Sequence, residues 1–499
     1  MTKNYISMYF KKKSNIIFRN YDSFGYITDN RNFGYKLLNE TNNHIGDKIL
    51  SESGALFFSF LEKEILTLDE IAIKINAKFP SVDIKTIKYD VEEFYHILEK
   101  DGFIISGNSI QECFEKDFRF SYKSIKPEIT NDSNSKYFKP SKSTQDFLEE
   151  HFNGKPQLTN IHVEIISKCN ERCIHCYIPH EEKNNEIDSG LFYDILEQCK
   201  NLKVLHITIS GGEPLLHKDF CDFLKKCREY NFSVNVLSNL TLLNDEIIEE
   251  MKANPLLGVQ VSLYSMNSDI HDYITQTKGS FEKTKNSILK LIENDIPLQI
   301  SCPIIRHNKN CYNDVVNWAR KYGVYAGDDF IIIARYNNTK QNLDCRLSIG
   351  EIEKVIEDKI KFDSNYLENI KTEAEKNKVF SPDDYVCSVC ESTLCITVNG
   401  NVYPCAGWQG FVVGNIKDKS LDEIWNYSEK VIYLRNLRKK DFPKCIKCTD
   451  REFCTMCMVR NANEDSSGNP LAVNEYFCNI ARLNKKIIAE KTDNQLVEK

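Results

Sequence analysis

No apolar run in the sequence is long enough to cross a bilayer. The opening residues, MTKNYISMYFKKKSNIIF, are basic but carry neither an apolar signal core nor a small-residue cleavage site, so no secretory address is expected and the default location is the cytoplasm. Positive charge is not in excess either. Lys plus Arg is 65 against 72 for Asp plus Glu, a net charge of −7, which argues against nucleic acid as a partner and gives no reason to expect a membrane surface. No repeat of fixed period is present, and the hydrophobic content is too ordinary for bulk disorder. What the chain has in quantity is cysteine, 19 among 499 residues. In a reducing compartment such a count points to metal or redox chemistry rather than to a disulfide framework.

The length calls for about three domains. Up to Ser106 there are strand-like runs at Asn15–Arg19 and Phe24–Asp29, helical patterns at Ala55–Lys63, Leu68–Phe79 and Thr86–Lys100, and a closing strand at Phe103–Ser106. A polar stretch containing SNSKYFKPSKS follows and reads as a linker, 108–155. From Asn160 apolar strand runs alternate with helical ones: IHVEII, VLHITIS, FSVNVLS, LGVQVSLY, PLQISCPII and DFIIIARY are the six strands. The expected fold class is therefore α/β, a parallel sheet with helical crossovers over 156–345, open or closed into a partial barrel. Its chemistry belongs at the C-terminal ends of the strands. Bridging helices are expected over 346–384 and a cysteine-rich region over 385–499.

The first strand runs into S-K-C-N-E-R-C-I-H-C-Y. Cys169, Cys173 and Cys176 offer three thiolates to a soft metal centre, and a four-iron cluster wants four, so one iron would stay open. The second strand ends in G-G-E-P: Gly211 and Gly212 allow close backbone approach to a ligand, Glu213 offers a carboxylate to an amino group, and Pro214 stiffens the turn. A zinc knuckle is the bland alternative for the cysteines. Together the two motifs resemble the radical S-adenosylmethionine superfamily over about 160–336. The resemblance implies a partial (β/α)6 TIM-like barrel and a 4Fe–4S cluster on Cys169, Cys173 and Cys176, whose open iron is chelated by the methionine part of S-adenosylmethionine. It places His175 near the adenine, Gly211, Gly212 and Glu213 at the amino group, and Asn239 and Ser262 at the ribose or carboxylate. His271-Asp272 followed by K-G-S-F matches a family segment, with Thr275 where some relatives carry Arg.

Nine cysteines crowd between Cys387 and Cys478, including C-I-K-C-T-D-R-E-F-C-T-M-C. A zinc ribbon would use only four of them. The region is similar to the SPASM extension of radical enzymes, whose opening is matched by Cys390, Gly400 and Cys405. That similarity implies two auxiliary 4Fe–4S clusters, three in all. One would use Cys390, Cys405, Cys457 and Cys387, with Cys395 as competitor for the last place; the other would use Cys445, Cys448, Cys454 and Cys478. The remaining thiols, at Cys113, Cys199, Cys221, Cys227, Cys302, Cys311 and Cys345, are expected to act as small apolar residues. Tyr264 and Tyr336, like Cys302 and Cys311, lie near strand ends, with a structural role expected for each.

The N-terminal region, 1–107, resembles in pattern the RiPP recognition element, a winged-helix-like α+β domain that captures the leader of a precursor peptide. A leader would add as a strand to a sheet edge, with Asp47–Leu50 the candidate strand and Thr86–Lys100 the candidate groove wall. The resemblances together imply a peptide maturase that abstracts hydrogen with a 5′-deoxyadenosyl radical and installs a thioether, a carbon–carbon crosslink or a related change. Its partners would be a precursor peptide with its leader and a reductant such as flavodoxin or ferredoxin. Two alternatives stand beside it: oxidation of a residue on a protein substrate, as in sulfatase maturation, and a noncatalytic electron carrier or zinc adaptor.

Overall fold

Short strands and three amphipathic helices build the N-terminal module. Its strands are β1 (Tyr9–Lys12), β2 (Ile17–Asn20), β3 (Gly25–Thr28), β4 (Asp47–Leu50), β5 (Leu66–Thr67) and β6 (Ile104–Gly107). The computed structural model describes residues 8–30, 46–62, 64–117, 144–152, 154–363, 365–379 and 381–497. Antiparallel β2–β3–β4 forms one sheet and β5–β1–β6 another. Between them lie α1 (Glu52–Ser59), α2 (Leu68–Lys78) and α3 (Ile84–Lys100). Helix α1 starts three residues before the expected Ala55 because Ser51 caps it, accepting from Gly54 N; the expected end, Lys63, lies outside the described residues. Thr67 and Glu70 form a capping box on α2. Phe58, Val91, Tyr95 and Leu98 fill the shared core. The strand β1 was not expected: its two lysines disguise it, and Lys11 is buried only because Asp117 pairs with it.

The expected linker is structured at both ends, a correction to its boundaries. Helix α4 (Ile110–Glu115) buries Cys113, whose thiol donates to Tyr9 O, and Asp117 accepts from Ser14 N at 3.0 Å. The module therefore runs to Asp117. Helix α5 (Thr144–Glu149) places Leu148 with Ile17, Tyr26, Leu205 and Leu256 in a small apolar cluster. Residues 118–143 lie outside the described residues.

The module does not hang on a tether. It docks on the N-terminal ends of the barrel strands. Arg19 donates to Val204 O at 2.8 Å and to Asn231 O at 2.9 Å, and its guanidinium lies 5.3 Å from the Phe232 ring. Asn231 in turn donates to Ile16 O and accepts from Phe18 N.

Six parallel strands follow: β7 (Asn160–Ile166), β8 (His206–Gly211), β9 (Ser233–Ser238), β10 (Leu257–Ser262), β11 (Leu298–Ser301) and β12 (Tyr325–Gly327). Each neighbours the next, as right-handed βα crossovers require. One face of every strand is apolar: Ile161, Val163 and Ile165, then Ile207 and Ile209, then Val234 and Val236, then Val259 and Val261 are buried against the helices. The inward face is polar: His162 and Glu164, Thr208 and Ser210, Asn235, Gln260 and Ser262, Gln299 and Ser301. A polar lining is what a solvated site needs and what a packed barrel core does not have.

The sixth strand departs from expectation. The run Asp329–Tyr336 is not a strand; Tyr325–Gly327 takes that place beside β11. Three side chains capture its carbonyls instead: Asn342 Nδ2 donates to Ile333 O, Arg346 to Ile332 O and Asn463 Nδ2 to Ala334 O. The run thus wedges between barrel and cysteine-rich domain.

Helices Ile349–Phe362 and Tyr366–Lys378 bridge to that domain. Its hairpin β13 (Thr393–Ile396) and β14 (Asn401–Tyr403) with β15 (Gly414–Asn415) extends the barrel sheet, since β13 pairs parallel with β7. One nine-stranded sheet therefore runs through both domains. A helix over Glu475–Val497 closes the chain.

Candidate functional site

The cysteine loop leaves β7 at the C-terminal mouth of the barrel. It is laced to the helix Ser268–Thr275 by Arg172 N donating to Thr275 O and Ile174 N donating to Ile274 O, both at 3.0 Å. The H-D…G-S-F segment builds that support. Asp272 accepts from Gly279 N, Ser280 Oγ and Phe281 N, and Thr275 hydrogen-bonds Ser280. Cys169, Cys173 and Cys176 are all half-buried. Burial pushes the Cys169 thiol up to about 12 and the Cys173 thiol well above its ordinary value. A metal must displace those protons, so binding and pH are coupled.

His175 stands edge-on to Tyr264, ring centroids 5.0 Å apart, and His271 lies 5.4 Å beyond. Burial pulls His175 down to about 4, so its ring is neutral. Tyr264, expected to be structural, is hydrogen-bonded to Ser262 and forms the wall of this aromatic group.

The G-G-E-P turn crosses directly beneath the cysteine loop. A Cβ on Gly211 would sit 1.9 Å from Ile166 O, and one on Gly212 would sit 2.1 Å from Lys168 O. Gly211 has φ +134°, a conformation L side chains rarely adopt. The close approach that these glycines permit is thus first of all to the chain's own cysteine loop; Gly212 N donates to Ile166 O and Glu213 N to Lys168 O. Pro214 begins a single buried turn of 3₁₀ helix. Glu213 is fully buried. Its carboxylate accepts from Ser238 Oγ at 2.6 Å, Asn239 N at 2.7 Å and Leu215 N at 3.0 Å, while burial raises its pKa to about 7. Asn239 also ties back, donating from its amide to Asn170 Oδ1 at 2.9 Å. The structure thus brings Cys169, Cys173, Cys176, His175, Gly211, Gly212, Glu213, Asn239 and Ser262 to one mouth.

Two buried polar atoms there, Glu171 Oε1 and His175 Nδ1, have no partner among the described residues. Orphaned groups of this kind are costly unless a bound group completes them, and three soft thiols are the donor set of an iron–sulfur cluster. The residues fit the cofactor pair.

In the cysteine-rich domain, Cys445, Cys448, Cys454 and Cys478 line one cavity of about 150 Å³. Among the described residues no three Cys, His, Asp or Glu side chains close on a single ion. Four thiols around one cavity are a donor set that a 4Fe–4S cluster can use. The second set also gathers. Cys387, Cys390, Cys405 and Cys457 lie within electrostatic reach of one another, and burial raises Cys387 to about 11 and Cys390 to about 12. Cys395, the competitor, is fully buried on β13 beside Tyr403, near Cys405 alone of that set. Of the scattered thiols, Cys113, Cys199, Cys227, Cys302 and Cys345 are buried and Cys221 and Cys311 half-buried.

The inward residue Glu164 was not singled out from sequence. It is 4 % exposed, accepts from Gln409 Nε2 at 2.8 Å and Tyr177 Oη at 3.4 Å, and burial raises it to about 7. A carboxylate on the inward beat of a mostly buried strand, H-V-E-I-I, was the available signal. Tyr336 completes this side of the mouth, its hydroxyl donating to Glu182 at 2.6 Å.

Comparison with known proteins agrees with this geometry. The model of the radical SAM superfamily matches residues 163–319, and that of SPASM, the iron-sulfur cluster-binding domain, matches 387–449. The AdoMet-dependent heme synthase of Methanosarcina barkeri is 23 % identical over 60 % of this chain and 90 % of its own length. The antilisterial bacteriocin subtilosin biosynthesis protein AlbA of Bacillus subtilis is 26 % identical over 60 % of this chain and 67 % of its own. The crystal structure of Streptococcus suis SuiB bound to precursor peptide SuiA is similar in fold, with a TM-score of 0.58 at 16 % identity over 92 % of this chain and 98 % of that one.

Proposed function

This chain is a radical S-adenosylmethionine enzyme with a SPASM domain, and from that premise we propose that it modifies a ribosomally made precursor peptide captured by its leader. One observation carries the reading: among the described residues β4 is the outer strand of its sheet, pairing only with β3. Asp29 N donates to Gly46 O, so by antiparallel alternation Lys48 and Leu50 also bond toward β3 while the N–H and C=O of Ile49 point away from it. Helix α3 ends beside this edge, where Lys48 pairs with Asp101, and it carries Ile97 at 51 % exposure. An extended peptide can add there by backbone hydrogen bonds, with side-chain pockets giving specificity. The names AlbA and SuiA, a bacteriocin biosynthesis protein and a precursor peptide, support the same class of substrate.

In this reading Cys169, Cys173 and Cys176 hold the catalytic 4Fe–4S cluster. His175, Gly211, Gly212, Glu213, Pro214, Asn239 and Ser262 shape the seat of S-adenosylmethionine. The two further cysteine sets hold auxiliary clusters. When bound, the cluster and S-adenosylmethionine supply a 5′-deoxyadenosyl radical. The chain's own residues orient the peptide and exclude water. The product is a thioether or carbon–carbon crosslink or a related change, electrons come from a flavodoxin or ferredoxin, and the setting is the reducing cytoplasm.

The test uses the intact chain and any short peptide found encoded beside its gene, with and without its leader. Full-length peptide should be modified and leaderless peptide poorly, by mass spectrometry. Ile49→Pro, which removes an outward donor and leaves the β3 ladder intact, should lower modification of the full-length peptide steeply while cosubstrate cleavage persists. Equal modification of both peptides by the unaltered enzyme would sink the leader reading and put oxidation of a protein substrate first.

A further inference from the structure

Three buried carboxyls face the barrel mouth: Glu164, Glu171 and Glu213. Glu171 sits inside the cysteine loop, and Glu213 is fully taken up between β8 and β9. Glu164 has no such task. It stands on the inward face of β7, where the ladder to β8 is broken by an irregularity between Glu164 and Ile166. Both of its hydrogen bonds fall on one oxygen, Oε1. One donor, Tyr177, follows the last cysteine of the loop; the other, Gln409, comes from the cysteine-rich domain. Oε2 accepts no hydrogen bond among the described residues. A carboxylate clamped by one oxygen with the other left to a polar, half-solvated barrel is arranged to take a proton. It stands between the loop of Cys169–Cys176 and the set that includes Cys405.

We propose that Glu164 is the catalytic base of the oxidative half of the reaction, a step that rests on the peptide-modifying reading above. Transfer of a hydrogen atom to the 5′-deoxyadenosyl carbon leaves a carbon radical on the peptide. Joining that carbon to a second group, R• + H–X → R–X, releases one proton and one electron. The proton goes to Glu164 Oε2. The electron goes to an oxidised iron–sulfur cluster of the cysteine-rich domain. The product is then lighter than the precursor by two hydrogens per event; inversion of a stereocentre, which returns a hydrogen atom, has no use for this base. Burial holds the carboxyl near 7, matched to proton transfer at neutral pH. The ionisable groups facing it are Tyr177 after the cysteine loop, Cys395 on β13, Tyr403 on β14, Cys405 beyond it, and Tyr336.

The experiment compares the reconstituted enzyme with Glu164→Gln, using the full-length precursor peptide that the leader test above identifies, expressed in deuterated medium. Iron content, the electron paramagnetic resonance of the reduced clusters and peptide binding by fluorescence anisotropy should match the unaltered enzyme. Deuterium should still pass from peptide to 5′-deoxyadenosine. Product per 5′-deoxyadenosine should fall about a hundredfold, a usual size for a lost general base. In the unaltered enzyme that ratio should rise with pH through about 7, and Gln409→Leu, which removes a bond favouring the carboxylate, should move the midpoint upward. Undiminished coupling in Glu164→Gln, loss of deuterium transfer with loss of product, or an unmoved midpoint in Gln409→Leu each overturns the proposal. No deuterium transfer by the unaltered enzyme overturns the peptide reading instead.

Discussion

The two cysteine-bearing regions hold their thiols by different means. The loop at Cys169–Cys176 is fixed by backbone hydrogen bonds to Ile274 and Thr275 and by the glycine turn beneath it. Its framework, the barrel, stands on a continuous apolar core. The cysteines of the second region run from Cys387 to Cys478. Around Cys445, Cys448 and Cys454 the chain has only single turns of helix, Pro443–Ile446 and Arg451–Phe453. A segment with so little regular structure gains much of its order from what it binds. In the proposed reading the same ligand chemistry is thus a tenant in one region and a girder in the other.

The largest expected effect breaks that comparison directly. Cys448→Ala or Cys454→Ala should cost about four of the roughly twelve irons that three cubane clusters carry, and should also open the surrounding region to limited proteolysis. The triple Cys169→Ala, Cys173→Ala, Cys176→Ala variant should lose about four irons as well, with all cosubstrate cleavage, yet keep its circular dichroism and proteolytic pattern. Equal proteolytic resistance in both would show that the second region needs no girder.

Within the loop, the glycine turn is the next lever. Gly212→Ala would force a Cβ to 2.1 Å from Lys168 O, where backbone on both sides must yield. A cost of about 3 kcal/mol or more and loss of cosubstrate cleavage are expected by thermal unfolding and product assay. Gly350, on a bridging helix with open space around it, is the control. Its change to Ala should stabilise by about 0.5–1 kcal/mol.

Arg19→Ala tests how the N-terminal module is held. The buried guanidinium serves two carbonyls of the barrel and one of its own strand. Its loss should leave those acceptors bare at a cost of about 2–3 kcal/mol, seen as earlier release of the module in proteolysis. An unchanged digestion pattern would show that the apolar cluster around Leu148 suffices.

The sequence disclosed what local spacing dictates. The cysteine triplet, the G-G-E-P turn and five of six barrel strands follow from motif and alternation, whereas the strand Asp47–Leu50 comes only with the recognition-element resemblance. What was hidden depends on distant partners. Lys11 and Lys12 disguise β1 until Asp117 is seen. Asp329–Tyr336 has the composition of a strand, but Asn342, Arg346 and Asn463 take its carbonyls. The polar stretch reads as a linker and gives no sign that Arg19 and Asn231 bind the module to the barrel floor. Glu164 was legible in principle, as a carboxylate on the inward beat of β7, but its importance rests on Gln409, 245 residues away.

The two ends of the barrel should also respond to pH in opposite directions, the smallest of these effects. At the mouth, buried Glu213 binds its proton more tightly when folded, about 7 against an unfolded value near 4.3. Stability from that group is present in acid and is lost as pH rises toward 7. At the floor the sign reverses. His206 opens β8, meets Ser233 Oγ at 2.9 Å and is buried beside His162, and burial pulls it down to about 3. Ser233 is also the partner of Asn30 in the docked module. Between about 6.5 and 3 the unfolded chain takes a proton that the folded chain refuses, so stability is full above 6.5 and falls with acid by at most about 1.4 kcal/mol per pH unit. The protection factors of the β2 and β3 amides, which divide out the intrinsic exchange rate, should therefore fall between pH 7 and pH 5.5, and His206→Asn, which cannot titrate, should flatten that change. The same variant should leave the exchange of the Cys169–Cys176 loop as it was. Equal acid sensitivity of both ends, or an unchanged slope in His206→Asn, would mean that the histidine is not what loosens the floor.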